Sequence, residues 1–277
     1  MVNVDALLQQ DIPLVHRILV GAIRTELGRF GFSRGVLGLS GGVDSSLAAF
    51  LAAEALGPDN VRAVLMPYRT SAPESAADAL EVIQILGLDH VTIDITGMVE
   101  PLFAQAPNMG QRRRGNIMAR ARMIVLYDQS EEWGGLVIGT SNKTELLLGY
   151  GTLFGDMASA VNPLGDLYKT QVRQLARAVG VPEHIIAKPP SADLWPGQTD
   201  EGEMGLTYAE VDKVLHLLVD ERRTPAEVVG MGFSEAFVRQ AWRMVQRAQY
   251  KRCPPVIVKV SSRTVDLEFR MPRDWGT

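Results

Sequence analysis

The stretch Leu39-Ser40-Gly41-Gly42-Val43-Asp44-Ser45-Ser46 carries the most concentrated chemistry in the chain. Gly41 and Gly42 lack a Cβ, so their amides can crowd against a ligand and take positive φ. Ser40, Ser45 and Ser46 add hydroxyls, and a helix beginning at Val43 would add free amides and a positive dipole end. Such a turn is a phosphate cradle. Asp44 is the odd member, because a carboxylate beside bound phosphate is repelled unless a cation lies between them. Asp44 also suits a helix cap, but beside phosphate the stronger reading is a Mg²⁺ ligand. Two later runs, Gly139 to Asp156 and Asn162 to Arg173, place a charged or polar group every few residues among glycines. A ligand needs that pattern and a core does not. Glu145 falls about one turn into a helix starting at Ser141, and Thr140 falls at the end of a strand. If that strand lies beside the first, Thr140 and Glu145 face the Gly41-Gly42 turn, and Asp44 and Glu145 can share Mg²⁺. Lys169 opens another helix, where a lysine opposes the dipole unless an anion binds there, which makes it a candidate phosphate clamp.

The elements that must hold these residues follow from the apolar runs. Gly35-Val36-Leu37-Gly38 reads as a buried parallel strand, and Leu47 to Leu56 as a helix stopped by Gly57. Val61 to Pro67 is the second strand. The third spans His90 to Ile95 and the fourth Leu136 to Thr140. A helix from Pro73 to Leu86, with Ser71 as its cap, and another from Asn116 to near Tyr127 separate them. Strands alternating with helices predict a doubly wound parallel sheet with helices on both faces, whose ligands bind at the strands' C-terminal ends. Arg69, just past the second strand, is placed either to meet a nucleotide or to stay solvated. Gln105 to Arg114 reads as an exposed segment, and Arg120 and Arg122, two positions apart, point to different sides of their helix. Only one of the two can face the pocket, which leaves the other at the surface or an interface. Residues 4 to 30 form an amphipathic helix broken at Pro13, with Val15, Ile18, Leu19, Ala22 and Ile23 as its packing face. Lys188 to Glu203 reads as a lid. Tyr208 to Val219, Pro225 to Val229 and Ser234 to Ala248 form a small C-terminal helical subdomain, and residues 256 to 270 alternate like two short strands.

Composition narrows the function. The chain has 277 residues, enough for one large α/β domain with a small appendage, and the balance of 28 basic against 32 acidic residues argues against a nucleic-acid surface. The lone cysteine, Cys253, forbids an internal disulfide or thiolate metal cluster and fits a cytoplasmic protein. No apolar run is long enough to span a bilayer. His16, His90, His184 and His216 lack ligand spacing, so no zinc site is expected.

Ser-Gly-Gly-x-Asp-Ser resembles the PP-loop of the ATP pyrophosphatases, which cleave ATP between the α- and β-phosphates. The glycine runs, Pro190 to Leu194 with Gln198 to Glu201, and Lys251-Arg252-x-Pro254-Pro255 together resemble the NAD⁺ synthetases, with order and spacing kept from about residue 13 to 255. The resemblance implies an adenine-nucleotide α-hydrolase-like fold, arranged as a core over 1–190, a lid and helical part over 191–255, and a tail over 256–277. It implies a ligase that joins deamido-NAD⁺ and ammonia at the expense of ATP, through an acyl-adenylate, in a cytoplasmic homodimer. Ser40, Gly41, Gly42, Val43, Ser45 and Ser46 match the pyrophosphate site, Asp44 and Glu145 the Mg²⁺ ligands, and Arg69, Thr140, Lys169 and Ser191 the nucleotide contacts. Arg120, Tyr150, Asp156, Glu203 and Lys251 match the deamido-NAD⁺ site, Asp156 also being the carboxylate expected near ammonia. Asp44, Asp156 and Lys169 are the expected catalytic residues. Tyr250 and Leu153 depart from some relatives, which carry histidine and lysine there. No in-chain glutaminase fits, so free ammonia is the expected donor, with a separate glutaminase partner left open. The rivals are a tRNA sulfur-transferring or GMP-synthetase-like pyrophosphatase, and a non-catalytic nucleotide sensor.

Overall fold

The fold was read from a computed structural model, which describes residues 7–195, 197–253 and 255–265. Four parallel strands form its sheet: β1 (Gly35–Gly38), β2 (Val61–Leu65), β3 (Asp89–Thr92) and β4 (Leu136–Val137), in the order β3-β2-β1-β4. Gly35 lies opposite Val61 on one side and Leu136 on the other, so β1 is central. The chain winds outward from β1 to β3, then returns to place β4 on β1's other flank. That reversal between β1 and β4 is a topological switch point, where a cleft opens above the strands' C-terminal ends.

Successive strand residues point to opposite faces, and the packing follows that period. Leu37, Ala63 and Leu65 join a core with α1 (Ile12–Arg29), α2 (Val43–Leu56), α3 (Pro73–Leu86), and two later helices, α7 (Lys169–Val179) and α8 (Glu183–Ala187). Val36 and Val64 face the other way, toward α4 (Thr96–Ala104) and α5 (Gln111–Trp133). α2 has ten buried residues, from Val43 to Ala55, and reads as apolar all round because other elements enclose it. A short α6 (Lys143–Leu148) follows β4. Beyond α8, α9 (Asp200–Met204), α10 (Tyr208–Leu215) with a π turn over His216–Asp220, α11 (Pro225–Gly230) and α12 (Glu235–Arg247) gather around Val211, Val214, Leu217, Val238 and Ala241. That cluster also takes in Leu148 and Tyr168, so the helical part is built onto the core rather than hung from it.

Several expectations are corrected. Pro13 sits in the first turn of α1 and starts it, as a residue without an N–H can, instead of breaking it. On α1 the buried positions are Val20, Ile23 and Leu27, while Ile18 and Ala22 are exposed. Ser71 does not cap α3: its Oγ accepts from Tyr68 N, and the Asp193 carboxylate accepts from Ala72 N at 3.1 Å instead. α5 begins at Gln111 and reaches Trp133, so Arg112, Arg113 and Arg114 form its first turn, not a loop. β3 starts a residue earlier and ends sooner than expected, and β4 is two residues long, extended by a bridge from Ile138 to Val161. Residues 256–263 form no strand, and the expectations over residues 4–6, Pro254 and 266–270 lie outside the described residues.

Candidate active site

The Gly-Gly turn leaves β1 at the switch point. Leu39 N still donates to Val64 O, and then Gly41 takes φ +77°. The conformation is enforced from outside: a Cβ on Gly41 would lie 2.2 Å from the Ser75 carbonyl oxygen. Gly42 is the N-cap of α2 and offers no capping side chain, so the first-turn amides are left for an anion. Ser45 and Ser46 hydroxyls both donate to Gly42 O, at 3.0 and 2.9 Å, and the Ser40 and Ser45 Oγ atoms lie 3.0 Å apart. These hydroxyls brace the turn from within.

Because β4 pairs with β1, the N-termini of α2 and α6 stand side by side. Asn142 caps α6 in a capping box with Glu145, and its Nδ2 donates to Asp44 Oδ1 at 2.8 Å. The Lys169 ammonium, 3% exposed, pairs with Asp44 Oδ2 and lies 3.3 Å from Glu145 Oε1. Burial, reinforced by the nearby Asp44 charge and only partly offset by Lys169, pushes the Glu145 carboxyl up to about 8. Burial pulls Lys169 down, but Asp44 and Glu145 outweigh it and its net shift is upward. Below this cluster, Thr144 Oγ1 accepts from Lys169 N at 3.0 Å and donates to Asp212 Oδ1 at 2.6 Å, and Thr170 N donates to Asp212 Oδ2 at 2.8 Å. The lysine backbone is thereby fixed from the helical part of the chain. Thr140, expected at the strand end, lies three residues past β4 and is half-buried.

A second group surrounds the turn over Gly149 to Asp156. Lys251 Nζ donates to Gly149 O and Gly151 O, both at 2.7 Å, Arg120 Nε to Leu153 O at 3.3 Å, and Thr152 N to Asp156 Oδ1 at 2.9 Å. Gly149 itself, at φ +71°, packs so tightly that a Cβ would meet Ala248 at 2.3 Å. Tyr150 OH lies 3.0 Å from Asp200 Oδ1 and 2.9 Å from Glu203 Oε2, and its one hydrogen is shared between the two carboxyl groups. Asp200 joins the two groups: it accepts a further bond from Tyr208 OH at 3.2 Å, and its charge acts on Lys169 and Glu145.

The remaining expected contacts stand apart from both groups in their bonding. Arg69 pairs with Glu100 at 3.2 Å, the exposed Ser191 Oγ accepts from Asp193 N, and Tyr250 is exposed. Sequence reasoning missed Asn142, Thr144, Asp200, Asp212 and Tyr208, all buried. Asn142 alone left a readable signal, an Asn followed three residues later by Glu, which is a capping box. The two arginines diverge, as their spacing predicts. Arg120 is the exposed one, and Arg122 is the one turned inward.

An uncapped glycine turn, two acids converging on one lysine, and a separate polar turn are thus linked through Asp200. A family model described as NAD synthase matches residues 15–255. The chain belongs to the NAD synthase family. The NH(3)-dependent NAD(+) synthetase of Trichlorobacter lovleyi is 58% identical over 263 residues, which cover 95% of this chain and 96% of that one. Among solved structures, the NMN synthetase from Francisella tularensis matches with a TM-score of 0.80 at 33% identity, covering 90% of this chain and 99% of that one. The NH3-dependent NAD synthetase from Campylobacter jejuni, solved with nitrate ion, matches with a TM-score of 0.77 at 33% identity, covering 90% and 100%. Membership in the NAD synthase family makes the chain a ligase of NAD biosynthesis that uses ATP, and leaves the sulfur-transfer and GMP-synthetase-like readings unfavoured. Among the described residues no helix is long and apolar enough to cross a membrane.

Proposed function

We propose that the chain amidates deamido-NAD⁺ with free ammonia in two half-reactions, with Mg²⁺ at Asp44 and Glu145. The observation that carries this reading is the convergence of Asp44 and Glu145 on the Lys169 ammonium, beside an uncapped glycine turn. The donor set fits Mg²⁺: two carboxylates reach one position already compatible with a positive charge, and both are oxygen ligands. Bound there, Mg²⁺ would neutralise charge on the phosphate oxygens.

The chain's own residues supply the rest. The amides of Gly41 to Asp44 bind the β- and γ-phosphates, and Lys169, released from the two acids, turns its ammonium to phosphate oxygen. A nicotinate carboxylate oxygen attacks the α-phosphorus as the bond to pyrophosphate breaks, giving the acyl-adenylate. Ammonia nitrogen then attacks the carbonyl carbon, the bond to AMP breaks, and Asp156 takes the surplus proton from nitrogen. Holding both reactants in line contributes as much as any single charge. Arg120, Tyr150, Glu203 and Lys251 hold the dinucleotide, Arg69, Thr140 and Ser191 the nucleotide. The division into core, lid and tail, the homodimer and the cytoplasmic location belong to the same reading, the last two resting on family resemblance.

The test is turnover by the purified chain with ATP, Mg²⁺, deamido-NAD⁺ and ammonium. AMP, pyrophosphate and NAD⁺ are expected in equal amounts, and glutamine alone is expected to support none. Release of ADP, or turnover without deamido-NAD⁺, overturns the reading. Nicotinic acid mononucleotide is the informative alternative acceptor, given the Francisella neighbour. Preference for it would move the specificity and leave the chemistry.

A further inference from the structure

We infer that Arg122 binds the substrate carboxylate where it meets the α-phosphate, and so is a further catalytic residue of the adenylation half-reaction. This rests on the proposed function.

Arg122 lies on α5, is half-buried, and reaches across to the segment that follows β2. Its single hydrogen bond among the described residues runs from Nε to Met66 O at 3.0 Å. The cations around the two groups of the site are engaged: Lys169 on Asp44 and Glu145, Lys251 on two carbonyls, and Arg252 on Leu146 O, Leu147 O and Val245 O. A guanidinium held at Nε with its two terminal nitrogens unengaged keeps the planar fork that receives a carboxylate or phosphate in two parallel bonds.

Its bonding partner places it near the phosphate turn. Met66 follows β2 and abuts the end of β1, where a Cβ on Gly38 would lie 3.0 Å from Met66 Cε, two residues before the phosphate turn. The charges that act on Arg122 come from Asp193, which accepts from Ala72 N ahead of α3, and from Asp156, in the turn proposed to hold the dinucleotide. Both acids are engaged elsewhere, Asp193 on Ala72 N and Asp156 on Thr152 N, so neither neutralises the fork by direct pairing. Burial lowers the pKa of the guanidinium, but arginine stays protonated at neutral pH. Two anions must approach each other here, and a cation beside them lowers that barrier directly.

The experiment is exchange of labelled pyrophosphate into ATP without ammonia, dependent on deamido-NAD⁺, with the affinity for ATP measured separately. Arg122→Gln is expected to lower exchange by about 10²-fold or more and to leave the ATP Kd within about threefold. Arg122→Lys, a point charge without the fork, is expected to recover less than about tenfold of the loss. Exchange near wild type in Arg122→Gln, full exchange in Arg122→Lys, or a fall matched by lost ATP affinity overturns the assignment. If Arg122→Gln does not fold, Arg122→Lys decides. Absence of deamido-NAD⁺-dependent exchange in the wild type would refute the proposed reaction itself, a separate outcome.

Discussion

Asn142 donates from Nδ2 to Asp44 Oδ1 over 2.8 Å while its Oδ1 accepts the Glu145 amide at 3.0 Å. One fully buried amide thus fixes the relative positions of the two proposed metal ligands. Asn142→Asp keeps the cap but sets a second carboxylate against Asp44. It is expected to reduce turnover by about 10²-fold, with the Mg²⁺ or Mn²⁺ requirement shifted, because the acids can no longer hold one geometry. Asn142→Ala loses both bonds and is expected to cost about 1–3 kcal/mol by urea denaturation. Turnover within a few-fold of wild type in Asn142→Asp would show that the bridge does not position Asp44.

Asp44→Asn and Glu145→Gln keep shape and remove charge. Each is expected to reduce turnover by at least about 10²-fold, with near-UV circular dichroism unchanged. Removal of one acid also frees part of the Lys169 charge, so the variants should bind ATP without a divalent ion at least as well as the wild type does. A variant that keeps its rate removes that residue from the metal site.

Gly41→Ala tests the phosphate turn. The residue stands at φ +77°, and its new Cβ would lie 2.2 Å from backbone Ser75 O, an atom that cannot swing aside. The left-handed backbone alone costs a non-glycine residue about 1–2 kcal/mol. The expected outcome is loss of ATP binding by calorimetry, with a melting temperature lowered by several degrees. ATP binding near wild type would mean that the turn is not the triphosphate site.

What the sequence disclosed was governed by how local each signal is. The Gly41-Gly42 turn and α2 sit in consecutive residues, so strand, turn and helix could be read together. β1 and β2 were legible because each is a short, mostly buried apolar run, β1 bounded by glycines and β2 followed by Pro67. Pairing of Asp44 with Glu145 required only the guess that β4 lies beside β1, and the sheet order bears that out. Asp212 and Tyr208 gave no such warning, and Asp200 stood out only as a member of the Gln198 to Glu201 run, with no role attached. The acids answer to partners distant in sequence, Thr144 for Asp212 at a separation of 68 residues and Tyr150 for Asp200 at 50. For the arginine pair, helical spacing says that Arg120 and Arg122 diverge, as they do, but not which of them is turned inward. β4 was overestimated because the ladder beyond Val137 passes to a bridge with Val161, which no propensity encodes.

Tyr150 OH bonds both Asp200 and Glu203, and so ties the glycine turn to the segment ending at α9. Tyr150→Phe keeps the ring and removes the tie. A hydrogen bond to a charged group is worth about 1.5–3 kcal/mol, so KM for deamido-NAD⁺ is expected to rise roughly tenfold or more, with KM for ATP little changed. The double variant with Asp200→Asn should fall short of the product of the single effects, since both remove one contact. Fully multiplicative effects would show that the tyrosine acts elsewhere.

Asp212 gives the pH dependence of stability. Burial raises its carboxyl above the ordinary 3.8, against the hydrogen bonds from Thr144 and Thr170 and the charge of Lys169. The folded state therefore binds this proton more tightly than the unfolded chain does. Its contribution is most favourable below the unfolded value and is lost as pH rises through the folded one. Asp212→Asn does not titrate, so the stability of the variant minus that of the wild type is expected to increase with pH above about 4, at up to about 1.4 kcal/mol per pH unit within the window. Urea denaturation of both proteins between pH about 4 and about 7 measures the slope, and the other titrating groups cancel in the difference. A flat difference would mean that Asp212 is ionised at no cost, its two donors and Lys169 compensating burial in full, and a falling one would reverse the sign of its shift.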